Sequence, residues 1–250
     1  ECLLFNNCSR RCRLFAGFLV FAEAKNCHEC RYFPRREERI LQDVILSLPL
    51  CWRETLRKSQ AKTDNRVRII GGQWRGRKIA FADGEGLRPT GDRIRETLFN
   101  WLMPVLPDAR CLDVFAGSGV LGFEALSRGA AQRTLLERNA QAVRSLRMAQ
   151  QQLGAETANI VLADSVSWLA SASTGFDIVF IDPPFADTTL SPAAVVTSLE
   201  QHKLLVEDPW IYFEQPATTP VMPPADFTIF RQQRAGAVCY GLWRRSEKIA

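Results

Sequence analysis

From position 111 onward, short apolar segments alternate with helix-like segments, and this alternation restricts the possible fold more than any other feature. The apolar segments are almost continuously hydrophobic. Such segments are typical of strands in a parallel sheet that helices cover on both faces. The sequence therefore predicts an α/β domain, with strands at 111–115, 133–137, 159–162, 176–181 and 210–214, and helices at 120–128, 140–153, 165–170 and 193–201.

The end of the chain departs from this alternation. Segments 227–231 and 237–243 both have the composition of strands, and only a short polar stretch separates them. A parallel crossover needs about a dozen residues or more, so these two strands should form an antiparallel hairpin. We therefore predict a Rossmann-like fold with a mostly parallel seven-stranded sheet that ends in an antiparallel hairpin. This arrangement is typical of methyltransferases rather than of dehydrogenases.

A basic extension precedes this domain. Segments 67–70 and 78–81 are predicted to form two short strands joined by a glycine-rich turn, and an amphipathic helix is predicted to begin near Asp92. Residues 66–100 carry a net charge of +4, whereas residues 101–250 carry −3. A basic face of this kind suits a polyanionic partner, and a plain solvated surface is the alternative that charge leaves open. The predicted divisions are a leader at 1–65, the basic hairpin and helix at 66–104, and a catalytic domain at 105–250.

A glycine-rich turn follows the first strand of the main domain. Gly117 and Gly119 lie where glycine lets the backbone approach a bound nucleotide closely. With Gly122 the turn also fits the G-x-G-x-x-G pattern of NAD-dependent dehydrogenases, and Glu137 stands where their ribose-binding acid belongs. Asp113 argues against a dinucleotide, because its carboxylate would repel a pyrophosphate but could bind the ammonium of S-adenosylmethionine. We therefore favour an S-adenosylmethionine site.

Two acidic residues are candidates for the rest of this cofactor. Glu137 ends the second predicted strand, where it could accept hydrogen bonds from both ribose hydroxyls. Asp164 follows the third strand. Its carboxylate could accept a hydrogen bond from the adenine amino group, or it could cap the helix that begins at Ser165. Both interpretations of Asp164 stay open at this point.

A rigid turn, Asp182-Pro183-Pro184-Phe185, follows the fourth strand at the edge where open α/β sheets bind ligands. The two prolines lack backbone N–H groups, so the turn presents acceptors. The carboxylate of Asp182 and the carbonyl of Pro183 could accept both hydrogens of an exocyclic amine, and Phe185 could stack on its base. The turn therefore predicts methyl transfer to a base amine, with Asp182, Pro183 and Phe185 as catalytic residues.

The first part of the chain has an unusual cysteine content, since six of the eight cysteines lie within residues 1–51. A basic stretch before an apolar run resembles a secretory signal, and Cys8-x3-Cys12 with Cys27-x2-Cys30 has a spacing near that of a zinc site. An accessory domain is a third interpretation. We favour a fourth, in which the segment is an upstream extension or a loosely ordered leader without a role in function.

The remaining two cysteines, Cys111 and Cys239, lie inside apolar strands and are expected to be buried thiols. This usage predicts a reduced, cytoplasmic protein without a metal site in its main domain. No apolar run approaches the ~20 residues that would span a bilayer, so no membrane association is expected.

From Arg66 to about Arg245 the chain resembles the RsmD family of bacterial 16S ribosomal RNA guanine-N2 methyltransferases. The resemblance depends on Arg68-Ile-Ile-Gly-Gly-Gln-Trp-Arg-Gly-Arg-Lys78, on Leu87–Trp101, on Asp113–Gly119 and on Asp182–Phe185. The family has a second threonine where Gly91 stands here. The resemblance implies a Rossmann-like domain, S-adenosylmethionine as cofactor, and a guanine amine of 16S rRNA in a small ribosomal subunit or assembly intermediate as substrate.

The resemblance also implies roles for individual residues. Cofactor contacts are assigned to Asp113, Phe115, Gly117, Gly119, Glu137, Asp164, Thr90 and Arg95. Contacts to RNA are assigned to Arg68, Arg75, Arg77, Lys78, Arg88 and Arg93. We expect a monomer. The alternatives are an adenine-N6 nucleic-acid methyltransferase, a protein glutamine methyltransferase, an NAD-dependent dehydrogenase and an inactive RNA-binding scaffold.

Overall fold

The computed structural model of this protein describes residues 65–82, 89–184 and 191–246. All of these residues belong to one compact unit of the chain, Thr63–Ala250. The predictions for the cysteine-rich leader, including the secretory signal and the zinc site, lie outside the described residues. So do the predictions for Arg88 and Phe185.

The described residues form nine strands, five α-helices and a 3-10 turn at Gly72–Trp74. The strands are β1 Arg66–Arg68, β2 Lys78–Ala80, β3 Arg110–Asp113, β4 Gln132–Glu137, β5 Ala158–Leu162, β6 Phe176–Ile181, β7 Leu205–Pro216, β8 Phe227–Ala235 and β9 Val238–Arg245. The helices are α1 Asp92–Leu102, α2 Val120–Ser127, α3 Ala140–Leu153, α4 Ser165–Leu169 and α5 Pro192–Gln201.

Seven strands form the central sheet in the order β5-β4-β3-β6-β7-β9-β8, and β1 and β2 form a separate antiparallel pair. The pairs from β5 to β7 are parallel, whereas β9 runs antiparallel to both of its neighbours. The prediction of a mostly parallel seven-stranded sheet that ends in an antiparallel hairpin is confirmed.

Two strands exceed their predicted lengths by several residues. β7 was expected at 210–214 but begins at Leu205, and β8 extends to Ala235 instead of ending at 231. Apolar content does not mark these ends, since β7 passes through exposed Glu207 and Asp208. Backbone pairing with β6 and β9 defines the added residues. These strand ends therefore depend on tertiary partners rather than on local hydrophobicity.

The sheet has an apolar cluster on each face. On one face, α1 contributes Leu98 and Phe99 to a cluster that also contains Phe180 and Tyr212. On the other face, α5 packs against a second cluster, which contains Phe213 and Trp243 stacked at a centroid distance of 4.5 Å. A ring pair of this kind contributes about 0.5–1.5 kcal/mol beyond its buried area. Cys111 and Cys239 are buried free thiols, as predicted.

The basic extension packs against α2 through one buried acid, Glu124. Its carboxylate accepts hydrogen bonds from the backbone N–H groups of Ile70 and Gly71, at 2.9 and 2.7 Å, and from the guanidinium groups of Arg95 and Arg128, at 3.1 and 2.9 Å. We call these five residues the Glu124 cluster. They fix the hairpin and α1 to the main domain.

This close packing of the hairpin on α2 requires a glycine at position 72. A Cβ on Gly72 would lie 1.8 Å from the carbonyl oxygen of Ser127, and the residue has a φ of +73°. The Ser127 hydroxyl donates to the Gly71 carbonyl at 2.6 Å and accepts from the Trp74 N–H at 2.9 Å.

Within the described ranges, no helix is long and apolar enough to cross a membrane.

Candidate active site

Three acidic residues follow one another at the carboxyl ends of adjacent strands. Asp113 ends β3, Asp182 follows β6, and Glu214 lies near the end of β7. The register between β6 and β7 reaches Ile181 opposite Phe213, so Asp182 and Glu214 come next as neighbours. We call these three acids the acidic row. They occupy the edge of the sheet where ligands bind in open α/β folds.

The acidic row lies on a single face of the sheet. Side chains alternate along a strand, so Asp113 shares its face with Cys111, Asp182 with Phe180, and Glu214 with Tyr212. Cys111, Phe180 and Tyr212 all pack in the cluster beneath α1. The row is therefore the polar border of an apolar core, and part of its charge is shielded from water.

Asp113 is almost fully buried and forms an ion pair with Arg133, whose Nη2 donates to Oδ2 at 2.9 Å. The guanidinium also lies 4.2 Å from the ring centroid of Phe180. The other carboxylate oxygen, Oδ1, is buried without a hydrogen-bond partner, as are Nε and Nη1 of Arg133. Burial raises the pKa of Asp113, and Arg133 opposes the rise. An orphaned buried acceptor of this kind fits a cationic ligand group.

Asp182 is partly buried, and the Thr90 hydroxyl donates to its Oδ2 at 3.3 Å. Burial raises the pKa of Asp182 well above its ordinary value, and the negative charges of Glu214 and Asp113 raise it further. Pro183 is buried and Pro184 is exposed. The structure thus places Thr90, predicted as a cofactor contact, directly beside the predicted catalytic acid.

Glu214 is a site residue that the sequence interpretation missed. It is 4% exposed, and the Tyr212 hydroxyl donates to its Oε1 at 2.7 Å. Burial raises the pKa of Glu214. A signal was present in the sequence, because Glu214 ends the predicted strand 210–214 in the way that Glu137 ends the predicted strand 133–137.

The glycine turn is shaped by packing as well as by its conformation. Gly117 and Gly119 have φ values of +50° and +73°, which other residues rarely adopt. A Cβ on Gly119 would lie 2.3 Å from Leu146, and one on Gly122 would lie 2.7 Å from Leu135. The third glycine of the dinucleotide-like pattern is thus explained by the close contact of α2 with β4.

Glu137 holds the glycine turn in place. Its Oε2 accepts from the Gly117 N–H at 2.9 Å and its Oε1 accepts from the Asn139 N–H at 2.7 Å. The side chain is half-buried at the end of β4. Each oxygen keeps a second lone pair, so these bonds orient the carboxylate without using up its accepting capacity.

Two other predicted cofactor residues have different surroundings. Asp164 caps α4, since its Oδ1 accepts from the Ser167 N–H at 3.1 Å and from the Ser167 hydroxyl at 3.0 Å. The capping interpretation of Asp164 is therefore observed. Phe115 lines an apolar cavity of about 170 Å³ together with Val166 and Leu169 of α4 and Val195 of α5.

Arg95, also predicted to contact the cofactor, is completely buried. Its Nε donates to the Thr90 carbonyl at 3.0 Å, its Nη1 to Glu124 at 3.1 Å and its Nη2 to Asp92 at 2.5 Å. Burial lowers its pKa, although Glu124 and Asp92 oppose this change. All three guanidinium nitrogens donate to protein acceptors, so Arg95 links the Glu124 cluster to the loop that carries Thr90.

The five predicted RNA contacts that the structure describes lie on the surface of the basic extension. Arg75, Arg77, Lys78 and Arg93 are exposed. Arg68 is also exposed and pairs with Asp92 at 2.9 Å. Beside these residues is a groove of about 480 Å³, lined in part by Arg68, Arg75, Arg128, Glu96 and Asn100.

A nucleophilic cysteine is not present in the described part of the site. Cys111 lies within the core on the same strand as Asp113, and burial raises the pKa of its thiol to about 11. A thiol with that pKa stays protonated near neutral pH and is a poor nucleophile. The chemistry of the site therefore depends on carboxylates and backbone carbonyls.

Together, the sheet order, the glycine turn and the Asp-Pro-Pro turn define a Rossmann-like α/β methyltransferase. The putative methyltransferase yhhF from Escherichia coli is 45% identical, with a TM-score of 0.67 and coverage of 73% of this chain and 99% of that chain. Ribosomal RNA small subunit methyltransferase D of E. coli strain K12 is 44% identical over 191 residues, 76% of this chain and 96% of the relative. Residues 67–244 match the family described as Conserved hypothetical protein 95. The chain belongs to this family, the RsmD family.

A more distant solved structure shows the same fold. A putative methyltransferase complexed with SAH is 15% identical, with a TM-score of 0.54, and covers 73% of this chain. The prediction of a methyltransferase is confirmed by the family and by the E. coli relatives. The dehydrogenase alternative is therefore wrong. The G-x-G-x-x-G pattern that suggested it arises here from the packing of Gly122 against β4.

Proposed function

We propose that this methyltransferase transfers a methyl group from S-adenosylmethionine to the exocyclic N2 amine of a guanine in 16S rRNA of the small ribosomal subunit. The observation that carries the proposal is the turn after β6, in which Asp182, a member of the acidic row, is followed directly by Pro183 and Pro184. The 44% identical relative of this protein in E. coli is named as a ribosomal RNA small subunit methyltransferase.

The residues of the site fit S-adenosylmethionine. The unpaired Oδ1 of Asp113 suits its ammonium group, and Glu137 stands at a strand end where its carboxylate can accept from ribose hydroxyls. The acidic row contains more carboxylates than Arg133 can neutralise, which favours a ligand with positive charge. When bound, S-adenosylmethionine supplies an electrophilic methyl group on a cationic sulfonium. Asp164 and Phe115 border the same edge of the sheet and are proposed as adenine contacts.

The Asp-Pro-Pro turn suits an amine acceptor. Pro183 and Pro184 have no backbone N–H, so the turn offers acceptors without competing donors. Asp182 and the Pro183 carbonyl can each accept one hydrogen of the amine, which leaves the nitrogen lone pair free to attack. Phe185 is proposed to stack on the base. Holding the amine in this way favours the pyramidal nitrogen that forms during attack.

The basic extension is proposed to bind the RNA backbone. Arg68, Arg75, Arg77, Lys78 and Arg93 are exposed. The family resemblance adds Arg88 as a proposed RNA contact. Lys and Arg side chains attract phosphates without reading sequence, so this surface positions the substrate. We propose that the protein acts as a monomer in the cytoplasm, on a small subunit or an assembly intermediate.

The test is transfer of a labelled methyl group to small ribosomal subunits that lack this modification, followed by nucleoside analysis. We expect label in N2-methylguanosine with the wild-type protein and none with Asp182→Ala. Label in N6-methyladenosine would instead support the adenine alternative. If neither small subunits nor free 16S rRNA acquire label, the proposed substrate is rejected.

A further inference from the structure

Glu214 is a buried acid to which the proposed reaction assigns no part. It is 4% exposed and lies beside Asp182, because the register of β6 and β7 places the two at the same level. A buried carboxyl group without a cationic partner is costly to ionise. Its position next to the proposed catalytic acid therefore calls for a functional explanation.

The groups around this pair are mainly acids and hydroxyls. Tyr212 donates to Glu214 from the same strand, and Thr90 donates to Asp182 from the loop before α1. Tyr240 of β9 is paired with Glu214 across the sheet, and its hydroxyl donates to Gln233. From β3, Asp113 adds a further negative charge, which raises the pKa of Asp182.

The nearby cations are engaged elsewhere. Arg133 pairs with Asp113 at 2.9 Å, and Arg95 pairs with Glu124 and Asp92. Among the residues that the structure describes, no salt bridge reaches Asp182 or Glu214. Two neighbouring carboxyl groups in this setting do not both ionise at their ordinary pKa values.

We propose that Glu214 is a positioning residue whose negative charge raises the proton affinity of Asp182, so that the two carboxyl groups take up and share the one proton that the amine releases. This inference rests on the proposed function, in which Asp182 holds the amine. As the N–C bond forms from the nitrogen lone pair, the C–S bond breaks and its electron pair stays on sulfur. The nitrogen then loses one proton to the Asp182 carboxylate.

The physical effect of Glu214 is to make Asp182 a stronger base. Its negative charge raises the proton affinity of the neighbouring carboxylate, and a base whose pKa is nearer to the working pH accepts a proton more effectively. The Thr90 hydroxyl and the Tyr212 hydroxyl hold the two carboxyl groups in fixed orientations. Glu214 therefore acts through Asp182 and need not touch the substrate.

The first experiment compares pH profiles of kcat for the wild type and Glu214→Gln. The amide keeps the acceptor for Tyr212 but cannot ionise, so the pKa of Asp182 falls. We expect kcat to decrease about tenfold, and the acid limb of the profile to move to lower pH by roughly half a unit or more. Affinity for S-adenosylmethionine should stay within about twofold. The exposed acid of the same strand supplies the control Glu207→Gln, which should leave the profile unchanged.

The second experiment needs neither RNA nor cofactor, and it separates this inference from the proposed function. A carboxyl group whose pKa is raised in the folded state destabilises the protein at pH values above its unfolded pKa, because the unfolded chain releases the proton more easily. The Tm of Glu214→Gln relative to wild type should therefore rise between about pH 4 and pH 8. Asp182→Asn should show the same trend.

The outcomes are distinct. A pH-dependent difference in Tm together with a shifted acid limb supports the shared proton. A difference in Tm that is constant with pH, or an acid limb that coincides with that of the wild type, overturns it. If the wild type methylates no RNA, the proposed function fails, and the thermal measurement alone decides whether Asp182 and Glu214 share a proton.

Discussion

Two buried carboxylates, Glu124 and Glu214, differ sharply in what surrounds them. Glu124 accepts four hydrogen bonds, two of them from arginines, and its charge is fully compensated. Glu214 accepts a hydrogen bond from Tyr212 and lies beside a second acid. Burial is therefore not the feature that distinguishes a functional acid in this protein. The two acids differ in the number and charge of their hydrogen-bond donors. Glu124, with four donors, fastens elements together, whereas Glu214 is the acid that we propose acts on Asp182.

The comparison explains why the two regions respond differently to change. Removing a carboxylate from the Glu124 cluster leaves buried cations and N–H groups without partners, which costs folding free energy. Neutralising Asp182 or Glu214, which have no cationic partner among the described residues, relieves repulsion, which stabilises the fold at neutral pH but alters the reaction. Substitutions in the Glu124 cluster should therefore change mainly the free energy of unfolding, and those at Asp182 and Glu214 mainly the rate of methyl transfer.

The largest effect is expected at the acidic row. Asp182→Ala removes the acceptor of the amine and should lower kcat by on the order of 10²–10⁴. Calorimetry should show that S-adenosylmethionine still binds, because Asp113 and Glu137 are intact. Unchanged turnover in this variant would remove the argument for an amine clamp. The exposed Asp208, replaced by Ala, serves as the control.

Next in size is the loss of the Glu124 carboxylate. Glu124→Ala leaves Arg95 and Arg128 without their shared partner, and we expect the free energy of unfolding to fall by about 3–5 kcal/mol. Urea denaturation measures this change. Glu156→Ala, at an exposed position, should change stability by less than about 0.5 kcal/mol. A small effect at Glu124 would contradict its assignment as the residue that fastens the hairpin.

Substitution of two glycines in the hairpin distinguishes the cost of a steric clash from the cost of backbone strain. Gly72 and Gly76 have φ values of +73° and +84°, but only at Gly72 would a Cβ meet another atom, the Ser127 carbonyl. Gly76→Ala should destabilise the protein by about 1–2 kcal/mol from strain alone. Gly72→Ala should lower the free energy of unfolding by at least about 1 kcal/mol more than Gly76→Ala does, because its Cβ also overpacks the contact with α2. Equal effects in thermal denaturation would show that the hairpin does not pack closely on α2.

The smallest effect is expected at the RNA surface. Arg77→Ala should raise KM for the small subunit several-fold without changing kcat, since a phosphate contact positions the substrate. The slope of log affinity against log salt should decrease by about one unit. Arg144→Ala, an exposed arginine of α3, is the matched control. An equal loss in both variants would assign the effect to net charge rather than to this surface.

The sequence predicted the fold well because its strands are apolar and short. α3 and β6 have the bounds that were expected, since Asn139 caps α3, Gly154 ends it, and β6 is apolar along most of its length. The ends of β7 and β8 were missed, because backbone pairing with β6 and β9 extends them beyond their apolar segments. Pattern alone cannot show pairing between distant segments.

The candidate site was predicted less completely. The motif residues Asp113, Asp182 and Glu137 were identified, since each lies at or directly after the end of an apolar strand, at the edge that binds ligands. Glu214 was missed although it ends a predicted apolar strand, and Arg133 was missed because an arginine inside a strand gives no sign of its partner. Arg95 was grouped with the cofactor contacts, and only the structure shows that each of its nitrogens is engaged by protein.

The sequence by itself determined the class of fold and the family, because periodic apolar segments and short motifs are local properties of the chain. Only the tertiary structure decided which charges meet. It brought Asp182 and Glu214, which belong to different strands, into one poorly compensated pair, and it brought Glu124 to its four donors. The energy of a buried charge depends on all the groups around it, and those groups come from segments far apart in the chain.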